Sequence, residues 1–175
     1  SVDDVAAALR AGADKVSINT AAIKNPKLIT EVANRFGSQC MVLSIQAKRI
    51  DGHWEAYYDN GREHSQRDAV AWAKEGESLG AGELIVTSVD REGTTKGYDV
   101  ELVKAITSTV KIPVIGSGGM GRLEHAKEVV EEGGVDAFAM AHVLHYGNYK
   151  VNDVRDYCIA ENIPVRKIRR EEAEE

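Results

Sequence analysis

The chain has 175 residues, 43% hydrophobic and 29% charged, which is enough for one domain with its own core and ordinary for a globular protein. Its formal charge of −6 argues against a nucleic-acid surface, and no stretch reaches the roughly 18 uncharged apolar residues a membrane helix requires. The opening SVDDVAAALRAG is acidic and amphipathic, unlike a signal peptide, so no nucleic acid and no membrane is expected as a partner, and the default location is cytoplasmic.

Helical periodicity over 2–11 leads to a short apolar run, KVSIN at 15–19. A second helix is predicted over 25–36, with Asn25 as its cap and Pro26 in the first turn. MVLSIQA at 41–47 reads as a buried strand. Next, RIDGHWEAYYDNGRE (49–63) places Asp51-Gly52 and Asn60-Gly61 turns around an alternating run. This predicts an inserted β-hairpin near 50–63, with Trp54, Tyr57 and Tyr58 on the surface of a loop. Helices then fit 66–79, 99–109, 122–132 and 151–161, and strands fit 83–89 (ELIVTSV), 112–117 (IPVIGS) and 137–141 (AFAMA). A short helix is expected at 142–146. The domain is expected to span 1–167, with 168–175 a charged, solvated and disordered tail. Cys40 and Cys158 show neither metal-ligand nor disulfide spacing and read as buried thiols.

Alternation of strands and helices makes this an α/β chain with parallel strands and helical crossovers. AGAD (11–14), GAGE (80–83) and GGVD (133–136) repeat one join, in which glycine closes a helix and an acid precedes the next strand. Five parallel strands fit either an open flavodoxin-like sheet or part of an eight-stranded barrel. The loops favour the barrel: Ser117-Gly118-Gly119-Met120-Gly121 follows the fourth strand, and Ala141-His142 follows the fifth. Consecutive strand-to-helix loops of this kind form a phosphate cradle in many barrels, although glycine also serves plain tight turns.

AGADKVSINTAAIKNPKLI (11–29), RFGSQC (35–40), AKR (47–49), TSVDREGTTKGYD (87–99), PVIGSGGMG (113–121) and LHYGNY (144–149) closely resemble the cyclase subunit of imidazole glycerol phosphate synthase. The resemblance implies a (β/α)8 TIM barrel that takes ammonia from a glutaminase subunit and closes the imidazole ring in histidine biosynthesis, with no metal and no cofactor. Against that family the chain begins at the third helix, so a partial barrel holding the last five βα units is expected, short of about 80 residues. The strand edges exposed in this way predict a homo-oligomer that covers them.

The resemblance also assigns residues. Gln46 stands where the family carries a catalytic aspartate, and an amide cannot exchange a proton at neutral pH, so the isolated chain is expected to be impaired or inactive as an enzyme. Asn19, Thr87 and Ser117 match the active-site face. Thr20, Glu92, Gly93, Gly118, Gly119, Ala141 and His142 match positions that hold the phosphates of a phosphorylated ribotide. Asp14, Lys15 and Glu83 match the ammonia inlet and the glutaminase interface. Each has a plainer reading: Gln46 as a satisfied strand end, Asn19 and Thr20 as a strand end and helix cap, and the acids as surface salt-bridge partners. Two rivals follow from Gln46 and from His142, which replaces the family's serine. One is a non-catalytic half-barrel that binds phosphate or assembles with a partner. The other is a sister family, similar in AMAHVLHY (139–146), that passes ammonia to a surface-polysaccharide sugar.

Overall fold

A computed structural model of the chain describes residues 1–166, so the predicted tail at 168–175 lies outside the described residues. Helix α1 (Val2–Arg10) opens with a capping box, in which Ser1 Oγ accepts from the Asp4 N–H and the Asp4 carboxylate reaches back to the chain start. Strand β1 (Val16–Ile18) is followed by α2 (Thr20–Lys24) and α3 (Lys27–Phe36). The helix expected over 25–36 is α3, starting two residues later, while α2 is a short helix not predicted from the sequence. Asn25 does not cap α3; it sits at φ −140° and ψ 87° between the two, because a residue preceding proline is forced out of the helical region.

The core of the sheet is β2 (Met41–Ile50), β5 (Glu83–Ser88), β6 (Val114–Ser117) and β7 (Ala137–Ala139), all parallel, with β1 beside the first half of β2. Each new parallel strand joins the edge its predecessor left, so the winding never reverses. An open flavodoxin-like sheet would reverse it at a switch point, whereas barrels wind in this one sense. The hairpin strands β3 (His53–Tyr58) and β4 (Glu63–Asp68) continue from β2, and β3 pairs antiparallel with its second half on the side that holds β1. The predicted hairpin is thus present but runs five residues past 63, so that 66–68 is strand rather than helix. Tyr57 is 3% exposed, contrary to the surface position expected for it, because the hairpin lies against the end of β2.

Helices α4 (Ala69–Ser78), α5 (Val100–Thr107) and α6 (Glu124–Glu131) connect the later strands, and α7 (His142–His145) and α8 (Val151–Ala160) follow β7. Burial alternates along β2 and β5: Leu43, Ile45, Ala47, Leu84 and Val86 are fully covered, while Ser44, Gln46, Ile85 and Thr87 face the other way and stay partly exposed. One sheet face therefore packs against helices, with Trp72 of α4 in that core, and the other face is open and polar. Cys40 and Cys158 are free, buried thiols, as predicted. Among the described residues no helix is long and apolar enough to cross a membrane.

Gly76 lies in α4 directly against the Leu43 side chain, and a methyl group there has no room. Helix propensity favours alanine over glycine by about 1 kcal/mol. Overpacking a fully buried leucine costs about 1–3 kcal/mol, so the second effect wins. Gly76→Ala is expected to lower the urea midpoint, and an unchanged or raised midpoint would show that Leu43 can move aside.

Candidate functional site at the open sheet face

Register decides what shares the open face. Gln46 lies opposite Thr87, Thr87 opposite Ser117, and Ser117 opposite Ala139, so four strand ends contribute one row. Three of the predicted site residues stand in it, with Gln46 and Ser117 two strand spacings or about 10 Å apart. The Gln46 Oε1 atom is buried and has no hydrogen-bond partner among the described residues. A buried amide oxygen without a donor costs about 1–3 kcal/mol, so this atom favours any ligand that brings an N–H or O–H to it.

Beyond the row, one pocket of about 90 Å³ is lined by Glu92 and Gly93 of the loop after β5, Ser117 to Met120, and Ala139 to His142. That volume suits a small oxyanion and is well below the 300–1,000 Å³ of a cleft that encloses a whole ligand. Every predicted phosphate residue except Thr20 lies in it. Gly118 and Gly119 take φ values of 91° and 109°, and a side chain on Gly119 would strike the Gly97 carbonyl. Only glycine fits there. Both glycines are buried, yet their N–H groups find no acceptor among the described residues.

The pocket rests on fixed neighbours. The Gly97 N–H donates to the Gly119 carbonyl at 2.8 Å, and the buried Tyr98 hydroxyl donates to the Ala139 carbonyl at 3.0 Å. Burial, with Glu92 adding to it, pushes the Tyr98 phenol far above its usual range, so it remains a donor. His125 is buried behind the next turn, where its Nδ1 accepts from the Gly121 and Arg122 N–H groups at 3.1 and 3.3 Å. Burial pushes its imidazole down, which keeps it neutral and able to accept. Neither Tyr98 nor His125 was singled out from the sequence, because each acts through contacts between loops distant in the chain.

Asn19 and Thr20 turn toward the hairpin. Asn19 Nδ2 donates to the Ser44 and Tyr57 carbonyls at 3.0 and 3.1 Å, and Thr20 Oγ1 accepts from the Asp59 N–H at 3.1 Å. Asn19 makes no side-chain cap to α2. At the opposite end of the strands Lys15 and Glu83 form an ion pair across β2, with Asp14 exposed beside it. His142 lines the phosphate-sized pocket and lies against Tyr146, with ring centres 4.5 Å apart and the planes tilted by 46°. Among the described residues no group of three or more His, Cys, Asp or Glu side chains is placed to hold a metal.

A family model described as "Histidine biosynthesis protein" matches residues 1–150. The imidazole glycerol phosphate synthase subunit HisF of Legionella pneumophila is 64% identical over 125 residues, which cover 71% of this chain and 59% of that relative. The chain thus spans less than two thirds of the length of the curated relative it matches. Matched over 150 of its 175 residues, the chain belongs to the histidine biosynthesis protein family and is of the HisF type.

Proposed function

We propose that this chain forms the ribotide-binding part of a HisF-type cyclase, a partial (β/α)8 barrel whose mouth is the open sheet face. The observation that carries the reading is the conjunction of the Gln46–Thr87–Ser117 row with the N–H groups of two buried glycines that have no acceptor among the described residues. One phosphate of a bis-phosphorylated ribotide sits on Gly118 and Gly119, whose backbone supplies donors without a side chain in the way. Glu92 lines the same pocket, so its carboxylate faces away from the phosphate or bonds the ligand's amide. The reacting part of the ribotide lies along the row, where Gln46 orients it.

Ammonia arrives from a glutaminase docked at the other end of the strands, around Asp14 and the Lys15–Glu83 pair. That pair is half exposed at Lys15 and by itself contributes about 0–1 kcal/mol to stability, so its placement serves the passage more than the fold. The strands β1 and β7 end the parallel sheet, and we propose that a second copy or further strands of the barrel pair with them.

Isothermal titration with the bis-phosphorylated ribotide tests the cradle. Gly119→Ala is expected to weaken binding by at least about tenfold, since a methyl group there strikes the Gly97 carbonyl and moves the N–H off the phosphate, and one charge-assisted bond is worth about 1.5–3 kcal/mol. Equal affinity in the variant would overturn the site.

Restoring an acid tests the row. In a completed barrel Gln46→Asp is expected to raise ammonia-dependent ring closure by about 10²- to 10⁴-fold, the usual worth of a general acid or base. A repaired protein that binds the ribotide but stays inert, yet still activates a glutaminase, would favour the sugar-amidation reading instead.

Sedimentation equilibrium at micromolar concentration is expected to show a dimer or larger particle. A strict monomer counts against self-pairing of the edges.

A further inference from the structure

The hairpin carries titratable groups that the reading above does not use. Gln46 opposes Tyr57 and Tyr57 opposes His64 across the ladder, and cross-strand partners point to the same face. Glu55, Tyr57 and His64 therefore extend the open face that holds Gln46. His64 stands two strand spacings, about 10 Å, from Gln46.

Their contacts are specific. His64 Nδ1 lies 3.2 Å from Glu55 Oε2, and the Tyr57 hydroxyl lies 3.1 Å from Nε2 and 3.0 Å from Nδ1. With Nδ1–H donated to the carboxylate, Nε2 is an acceptor whose protein partner is a phenol. Glu55 is 8% exposed, and its other oxygen accepts the Gln66 N–H at 2.7 Å. Gln66 holds a φ of 60° beside the irregularity between Ala56 and Tyr57. A non-glycine residue in that conformation costs about 1–3 kcal/mol, and here it buys the bond that fixes Glu55.

Burial opposes ionisation of Glu55, but the Gln66 N–H and His64 outweigh it and hold the carboxyl below its ordinary range. Burial, with Glu55 and Asp90 nearby, pushes the Tyr57 phenol up, so it stays protonated. Lys48 lies 4.6 Å over the Tyr57 ring, and His53 is a further titratable neighbour of Glu55. The imidazole these groups hold is itself 60% exposed. A buried anion and a strained residue thus aim one open ring, which packing alone does not require.

We propose that His64, positioned by Glu55 and Tyr57, is the proton-transfer group of this mouth, in place of the carboxylate absent at Gln46. The inference rests on the ribotide-binding reading. In its step the Tyr57 O–H rotates off Nε2, a proton leaves a substrate nitrogen or hydroxyl for the lone pair so freed, the electron pair stays on the substrate, and the Glu55 carboxylate faces the imidazolium through Nδ1–H. The proton then passes to water from the exposed ring.

The full chain, isotopically labelled at histidine and glycine, is titrated with the bis-phosphorylated ribotide, and His64→Gln assigns the ring signals. The His64 ring and the Gly118 and Gly119 amides are expected to shift with one dissociation constant. Residual ammonia-driven turnover is expected to fall about 100-fold in His64→Ala, to return with free imidazole, and to return again when Gln46→Asp is added. Glu55→Gln should lower kcat and leave the ribotide KM unchanged, which a merely structural role would not do. Glycine shifts without a His64 shift, or wild-type kcat in His64→Ala, overturn the proton role and leave ribotide binding standing. Still glycine amides overturn both readings, and ribotide binding with no wild-type turnover at all overturns the proton role alone.

Discussion

The parallel register of β2, β5 and β6 is the constraint on which the rest depends. Side chains alternate between faces along a strand, so a slip of one residue would send Gln46, Thr87 and Ser117 into the helix-covered core and bring Ile45, Val86 and Gly116 to the mouth. What holds the register is burial of the opposite set. Leu43, Ile45, Ala47, Leu84 and Val86 are fully covered, and each large aliphatic residue buried in this way contributes about 1.5–3 kcal/mol. The polar row is thus positioned by apolar contacts on the reverse of the sheet.

The hairpin is a second construction built on the same strand. β2 runs on to Ile50, which lets one strand pair with β1 and β5 below and with β3 above. Side chains tie the insertion down on both sides. Asn19 bridges β2 and β3, the Trp54 indole N–H donates to Asp99 at 3.2 Å, and the Arg49 N–H donates to Asp90 at 2.8 Å. These bonds make the hairpin a wall beside the open face, and they explain why residues matched to a substrate role, Asn19 and Thr20, spend their hydrogen bonds on the scaffold.

The phosphate-sized pocket shows the opposite economy. Its donors are backbone groups, and the surrounding side chains keep those groups in place instead of bonding them. Tyr98 satisfies the Ala139 carbonyl, His125 takes up the N–H groups of Gly121 and Arg122, and Gly97 grips the Gly119 carbonyl. Among the described residues the N–H groups of the buried Gly118 and Gly119 remain without an acceptor, which leaves backbone donors available in the pocket.

The sequence alone determined the α/β class, the succession of strands along the chain, the Gly118-Gly119 turn and the amide at 46, because these are written as local period, turn chemistry and contiguous family motifs. It missed the short helix at Thr20–Lys24, began the next one at Asn25 instead of after Pro26, and ended the hairpin too early, where a proline neighbour and the left-handed Gln66 override helical period. Only the tertiary structure decided that winding is one-way, that Asn19 serves the hairpin, and that Glu55, Tyr57 and His64 converge beside Gln46. Those facts rest on register across strands and on bonds between residues far apart in the chain, and no local pattern encodes which partner a strand will meet.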